Sequence, residues 1–333
     1  MTSSSTAVPT ALLALDWGTS SLRAYRFGQD GALLDKRALP WGVMQLPPAP
    51  SGVVDSDPAA GFRRALVAAC GDWLEQYPGV AVIAAGMVGS KQGWREAPYL
   101  EAPLDIDAIG TTLTRIDTGL GITLHIVPGL LQRTALPNVM RGEETQVAGI
   151  VDQLQSDDLL IGLPGTHSKW VHVHQRRIAH FDTFMTGEMY AALVGHTILG
   201  RTMELDAPAE EQRDDNAFLR GAAVAQSADG RAGLLSNIFS SRTLGLTGEL
   251  SPYAQSEYLS GLLIGHEIAA MLALRSRMTG ASPSAQIALV GDEKLCRRYQ
   301  RALTLYGIAD ARLAASATEH GLWKLAHHAG LLG

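Results

Sequence analysis

Leu15-Asp16-Trp17-Gly18-Thr19-Ser20-Ser21-Leu22-Arg23 is the stretch from which the fold can be read. The apolar run 11–15 leads into it and reads as a buried strand that ends on a carboxylate. Residues 18–21 make a small-residue turn, and 22–27 alternate apolar and polar side chains as a half-buried strand does. Gln29-Asp30-Gly31 has the composition of a second hairpin turn, with a third strand over 32–39. Gly18 allows close approach of an anion, and the N–H groups of Thr19, Ser20 and Ser21 can line a nest for phosphate oxygens. Asp16 suits Mg²⁺ held largely through water. An ordinary hairpin with a turn aspartate is the competing reading.

The same order recurs further on. Residues 158–163 read as a buried strand, Pro164-Gly165-Thr166-His167-Ser168 as a hydroxyl-rich turn, and 169–174 as an alternating strand. Gln175-Arg176-Arg177 supplies the tight turn and 178–184 the third strand. Two matched strand–turn–strand starts, near residues 12 and 159, imply a duplicated unit. Set opposite the first hairpin, the second forms another jaw around phosphate, with Lys169 as a point charge. A solvated strand lysine is the alternative.

Between the repeats, 40–58 is rich in Pro, Gly and Ser and reads as a loop. Asp57-Pro58 has the form of an N-cap and first helical residue, and Phe62, Leu66, Cys70, Trp73 and Tyr77 predict a helix over about 58–77. Residues 80–85 read as a buried strand entering the turn 86–90. Thr186 can cap a helix carrying Met189, Leu193 and Ile198 on one face. The apolar groups 262–264, 268 and 271–274 read as core.

The 333 residues suffice for two domains, and 46% hydrophobic with 18% charged side chains describes a well-buried globular chain. The net charge of −6, with 27 Lys and Arg in no basic stripe, argues against nucleic acid as a partner. Cys70 and Cys296 carry no metal spacing and read as core thiols suited to a reducing compartment. Residues 1–10 read as a loose tail rather than a signal peptide, and no run reads as a membrane span. His172 and His174 share a strand face without a third ligand, so surface histidines are expected.

With these motifs in place, the chain resembles the actin/hexokinase/Hsp70-like ATPase superfamily. Its phosphate-1 motif matches 16–23, phosphate-2 matches 162–169, the adenosine motif matches 287–292 with Gly291 in the turn, and the two connecting helices match 143–150 and 317–326. Gly86-Met-Val-Gly-Ser-Lys-Gln-Gly-Trp94, Val139-Met-Arg-Gly-Glu-Glu-Thr-Gln146 and Phe184-Met-Thr-Gly-Glu188, with the two phosphate motifs, resemble the 2-dehydro-3-deoxygalactonokinase family. Two departures stand out: Leu163 or Gly162 occupies the place of an Asp in phosphate-2, and Val290-Gly291 replaces the usual Gly-Gly.

The resemblance implies an α/β chain of two RNase H-like domains with an interdomain nucleotide cleft. One domain would span 1–140 and take back the helix 316–333, and the other would span 141–315. It implies ATP and Mg²⁺ as cofactors, with Gly18, Thr19, Ser20, Ser21 and Arg23 from the first motif and Gly165, Thr166, His167, Ser168, Lys169 and Gly291 from the second half at the nucleotide. Asp16 would handle the metal. Glu144 sits where relatives place the acid that accepts the substrate's proton, with Glu143 as the other candidate. An acidic first turn complementing the helix dipole is the competing reading of the pair, and the stronger one without the flanking motifs. A sugar acid calls for cationic and hydroxyl partners, and Ser90, Lys91, Gln92, Trp94 and Arg141 are suitably equipped. A surface loop with a tucked tryptophan is the alternative for 89–95. The expected activity is transfer of the ATP γ-phosphate to the 6-hydroxyl of 2-dehydro-3-deoxy-D-galactonate in the cytoplasm, without nucleic-acid or membrane partners and compatible with a homodimer. Kinases for another sugar or 2-oxo-3-deoxy acid, and a non-catalytic actin-like switch, are the rivals.

Overall fold

The computed structural model describes residues 9–332 apart from 53, 155, 207–214 and 278–284. Of the stretch read as a tail, residues 1–8 lie outside the described residues. The chain divides into two compact units, one of residues 1–155, 174–180 and 316–333, the other of 156–173 and 181–315. The first unit reaches past residue 140 because the helix that follows packs on the C-terminal helix (below).

In the first unit the chain runs β1 (Thr10–Trp17), β2 (Leu22–Gly28), β3 (Leu33–Leu39), α1 (Ala60–Gln76), β4 (Ala81–Gly86), β5 (Tyr99–Glu101), β6 (Leu104–Asp105), α2 (Ile106–Gly110), β7 (Thr114–Asp117), β8 (Thr123–Ile126), β9 (Gly129–Gln132), β10 (Asn138–Met140) and α3 (Glu143–Ile150). The second begins with β11 (Asp158–Leu163) and holds β12 (Ser168–His174) up to residue 173 and the later half of β13 (Arg177–Phe184), the hairpin end 174–180 between them belonging to the first unit. It continues through α4 (Thr186–His196), α5 (Asp215–Ala223), α6 (Leu234–Asn237), α7 (Ser240–Leu246), α8 (Pro252–Arg275), β14 (Gln286–Val290), α9 (Glu293–Leu305) and β15 (Arg312–Ala314). The chain then returns to the first unit as α10 (Ala317–His328).

Strand order repeats. The main sheet of the first unit is β3-β2-β1-β4-β8, extended by β7, and that of the second contains β13-β12-β11-β14-β15. In the first, β1 pairs antiparallel with β2 and parallel with β4; in the second, β11 and β14, and β14 and β15, are parallel. This is the RNase H-like order, present twice. Central strands β4 and β11 read as unbroken apolar runs because both faces are covered, whereas the edge strand β3 is exposed at alternating positions. Trp17, Leu22, Phe62, Leu66 and Leu124 centre one core, and Trp170, Phe218, Ile268 and Tyr299 the other. Each such side chain contributes about 1.5–3 kcal/mol by leaving water.

Three local expectations change. Helix α1 begins two residues later than read: Asp57 Oδ1 accepts from Ala59 N (2.8 Å) in a preceding turn, and no side chain caps the helix. His172, read as a surface side chain, is buried, because β12 is covered on both faces up to residue 173. Helix α8, where no span was expected, is long and apolar enough by length and composition to cross a membrane. It packs instead as a core helix, with Leu259, Leu262, Ile268 and Met271 fully buried. The β12–β13 turn holds Gln175 and Arg176 at φ 46° and 62°, the pattern of a twist-matched hairpin turn made without glycine. Arg176 is held there by ion pairs to Asp107 (3.1 Å) and Asp152.

Helices α3 and α10, each following the fifth strand of its repeat, meet through glycine. A Cβ on Gly149 would lie 1.9 Å from Ala317 O, and one on Gly321 1.9 Å from Thr145 O. Backbones this close cannot separate without moving α3. Gly321→Ala is therefore expected to destabilise the protein by roughly 2–3 kcal/mol, read as a lower midpoint in urea at unchanged slope. A variant as stable as wild type would show that the two helices are not in register as described.

Candidate active site

The C-terminal ends of β1 and β4 and the start of α3 come together within the first unit. A Cβ on Gly86 would lie 2.8 Å from Trp17 O, and one on Gly142 3.4 Å from Gly86 Cα. Gly142 itself has φ 108°, a conformation that side-chain-bearing residues rarely adopt, so glycine lets α3 start here. Asp16 closes β1 and faces Arg23 across the antiparallel pair, with Arg23 Nη1 donating to its Oδ2 at 3.0 Å. Its side chain is 22% exposed. Loss of water pushes its carboxyl above the ordinary range, more than Arg23 pulls it down.

The turn after Asp16 is closed by Gly18 N–H on Ser21 O (2.9 Å), so that N–H serves the turn. Thr19 and Ser20 are exposed. The start of the loop 40–58 lies along this turn: Val43 N donates to Gly18 O and Met44 N to Thr19 O, both at 3.0 Å.

Glu144 is fully buried in the first turn of α3, accepting from Gly142 N (2.7 Å) and Thr145 Oγ1 (3.0 Å). Burial, reinforced by the neighbouring Glu143 carboxylate, raises its pKa to about 7. Glu143 is half-buried and accepts from Arg141 N at 2.9 Å. The two acids thus occupy different environments although adjacent in sequence.

The substrate-loop candidates also fall in the first unit. Arg141 donates through Nη2 to Ala97 O (2.8 Å) and stacks on Tyr99 at 4.4 Å. Its Nη1 lies 2.9 Å from where a Cβ on Gly89 would sit, which puts it against the loop. Nε and Nη1 of Arg141, and Oγ of Ser90, are buried without a hydrogen-bond partner among the described residues. Unpaired buried donors cost free energy and are uncommon in folded proteins. Lys91 and Gln92 are exposed. Trp94 stacks on Phe62 (5.7 Å) and meets Trp17 edge-on (6.1 Å), so its ring belongs to the core under the loop.

In the second unit the turn after β11 leaves Thr166 and His167 exposed and Gly165 partly so, whereas Ser168 and Lys169 are buried on β12. His167 pairs through Nε2 with Glu188. Gly291, at the end of β14, is near the same turn: a Cβ there would lie 3.2 Å from Pro164 O. Asp292 then caps α9 by accepting from Leu295 N (2.9 Å). Beside the turn is a cavity of about 250 Å³ lined by Gly165, Thr186, Tyr190, Glu257, Ser260 and Arg298. A larger groove of about 630 Å³ in the first unit, lined by Val67, Leu74, Leu120 and His125 among others, carries none of the motif residues.

Three features escaped the sequence reading. Arg298 Nη1 donates to both carboxylate oxygens of Glu257 (3.0 and 2.8 Å) in the wall of the smaller cavity. Thr186 does not cap α4: the cap position is Met185, without a side-chain bond, and Thr186 Oγ1 donates to Glu267. Glu267 is buried in α8, and the sequence marks it only as one of that helix's two carboxylates, set between His266 and Ile268.

A chain made of two RNase H-like units, each with a hydroxyl-rich turn after its first strand, falls in the actin-like ATPase class. The chain belongs to the 2-keto-3-deoxy-galactonokinase family, whose model matches residues 16–325. The 2-dehydro-3-deoxygalactonokinase of Escherichia coli (strain K12) is 35% identical over 317 residues, which cover 95% of this chain and 97% of that one. A protein of Rhizobium meliloti (strain 1021), provisionally given the same enzyme name, is 34% identical over 330 residues, covering 94% and 97%. A crystal structure of a Sinorhizobium meliloti protein assigned to the same activity superposes with a TM-score of 0.80 at 32% identity, over 95% of this chain and 98% of that one.

Proposed function

We propose that the chain is an ATP- and Mg²⁺-dependent kinase that transfers the γ-phosphate to the 6-hydroxyl of 2-dehydro-3-deoxy-D-galactonate. The observation that carries this is a partly exposed carboxylate, Asp16, and a carboxyl tuned to about 7, Glu144, at one end of a sheet in a member of that family. A base is most effective when its pKa lies near the working pH, and Glu144 meets that condition. In this reading its carboxylate orients the 6-hydroxyl and takes its proton as the oxygen attacks the γ-phosphorus and the bond from that phosphorus to ADP breaks, releasing ADP. Glu143 is the alternative base. Thr19, Ser20, Ser21 and Arg23, with Gly165, Thr166, His167, Ser168 and Lys169, handle the phosphates, and Gly291 bounds the nucleotide site.

Among the described residues no group of three or more acidic, His or Cys side chains could cage a metal. That fits Mg²⁺, which is commonly held by one or two carboxylates together with substrate phosphates and water. Asp16 would hold it, and it would supply neutralisation of phosphate charge.

Arg141 and Ser90 are the proposed partners of the sugar-acid carboxylate, supported by their unpaired buried donors. Arg141→Met is expected to raise KM for the sugar acid about tenfold or more, the scale of a lost charged hydrogen bond, with KM for ATP unchanged. An unchanged sugar-acid KM would remove Arg141 from the substrate site. The partners in this reading are ATP and the sugar acid, with neither nucleic acid nor membrane, and it is compatible with a homodimer. A cytoplasmic location is supported by two free, buried cysteines, Cys70 and Cys296.

The test is ADP release from ATP and Mg²⁺ with 2-dehydro-3-deoxy-D-galactonate, its gluconate epimer or plain hexoses. Turnover on the galactonate alone is expected. Turnover only on another sugar would keep the kinase and discard the substrate, and hydrolysis independent of sugar would favour a nucleotide switch.

A further inference from the structure

Glu267 lies at the middle of α8, 3% exposed, and is reached by side chains from three separate elements. Trp170 Nε1 on β12 donates to its Oε1 at 2.8 Å. Tyr299 OH on α9 donates to its Oε2 at 2.7 Å, and Thr186 Oγ1 at the start of α4 donates to the same oxygen. Tyr299 OH in turn meets Ser168 Oγ at 3.0 Å. An indole N–H can only donate, so Oε1 must be an acceptor, and an ionised carboxylate satisfies the whole set. Burial holds the carboxyl pKa above its ordinary value, outweighing the hydrogen bonds from Thr186, Tyr299 and Trp170 that pull it down.

The partners of Glu267 flank the exposed turn between β11 and β12. Ser168 ends that turn, and Trp170 lies two residues further along the same strand face. On the other side the turn leans on the start of α4. Glu188 N donates to Thr166 O (3.0 Å), and a Cβ on Gly187 would lie 2.4 Å from Gly165 O. Thr186, next to Gly187, is tied to Glu267. One buried carboxylate therefore reaches the end of the turn at Ser168 through Tyr299, and through Thr186 the start of α4 against which the turn packs; Thr186 and Tyr299 also line the cavity of about 250 Å³.

We propose that Glu267 is a positioning residue that holds the 164–168 turn and the first residue of α4 in the geometry that receives the phosphates of ATP. The inference rests on the kinase reading above. Packing alone asks for an apolar side chain at this point of α8, and a buried carboxylate costs free energy unless its donors are fixed. What the carboxylate adds is a set of directional bonds to the two elements that carry the turn.

Glu267→Gln keeps the shape and can still accept from Trp170, but it presents an amide N–H₂ where Thr186 and Tyr299 need an acceptor. Binding of ATP, ADP and adenosine is measured by calorimetry on the full-length protein, alongside steady-state kinetics. The expected result is an affinity for ATP and ADP lowered about tenfold, the scale of one charged hydrogen-bond set, with adenosine binding within about twofold of wild type and KM for the sugar acid unchanged. A folded Gln variant with wild-type ATP affinity and kcat, or with ATP and adenosine weakened in parallel, overturns the positioning role. If Glu267→Gln does not fold, Thr186→Val decides: it cuts one bond and leaves the carboxylate, and a selective loss for ATP of about threefold is expected, with no loss overturning the proposal. Wild-type protein that turns over no sugar acid and binds no ATP would overturn the kinase reading itself. An active wild type beside a silent Gln variant would overturn the inference alone.

Discussion

Asp16→Asn is expected to lower kcat by about three orders of magnitude or more if Asp16 holds the Mg²⁺ proposed above, because a metal that neutralises phosphoryl-transfer charge would supply several kcal/mol in the transition state. The fold should not suffer. The Asp16 carboxyl is held above its ordinary range by burial, so the folded protein resists its ionisation. The sign follows: as pH rises above the unfolded-state value near 4, the unfolded chain releases this proton more readily, and the group then weighs against folding. Asparagine removes that burden at pH 7. It also removes the partner of Arg23, whose side chain is 51% exposed, and a pair so exposed is worth about 0–1 kcal/mol. Steady-state kinetics and a thermal melt check both halves together. Activity within about threefold of wild type would take the metal role away from Asp16.

Glu144→Gln carries the second large effect. If Glu144 is the base, kcat should fall by roughly 10²–10⁴, and the wild-type pH–rate profile should lose activity below about pH 7, where the carboxyl is protonated. Stability should move the other way. Below the unfolded-state pKa, about 4.3, both states are protonated and nothing is at stake. From there up to about 7 the unfolded chain gives up its proton while the folded chain keeps it, so folding loses up to about 4 kcal/mol across that window. Glutamine has no such dependence. The Gln variant should gain stability relative to wild type between pH 5 and pH 8 while losing turnover, the pattern of a residue kept for function. Urea midpoints at the two pH values and kcat at pH 8 test it. A pH-independent stability difference would contradict the raised pKa. Wild-type kcat in Glu144→Gln together with the loss in Glu143→Gln would move the base one residue back.

Much of this molecule is legible in its residues because the informative contacts are local. In each repeat the first two strands and the turn between them lie within about twenty residues of chain, so alternation and small turn residues set their pairing. Asp16 faces Arg23 as alternation requires. The strand into Gly86 carries a strong apolar pattern and stands within a residue of where it was read, and the helices at 143–150 and 317–326, which the family resemblance implied, stand within two residues of their expected bounds. The misreadings concern ends and environments. Asp57 and Thr186 are both short polar side chains that favour caps, and each spends its oxygen elsewhere, Asp57 on a preceding turn and Thr186 on Glu267. The Gln175–Arg176 turn stands where it was read, although it adopts positive φ without a glycine.

By itself, then, the sequence determined the duplicated unit, the two hydroxyl-rich turns and the carboxylate at the end of β1, all products of periodicity and turn chemistry within short spans of chain. Only the tertiary structure decided which acid of the Glu143–Glu144 pair is buried and tuned to about 7, and that Trp94 is core while Ser90 and Arg141 keep unpaired donors. It alone revealed Glu267, whose partners lie 97, 81 and 32 residues away along the chain. The reason is physical: burial and the electrostatics that follow from it depend on what distant segments bring to a side chain, and local pattern carries no record of that.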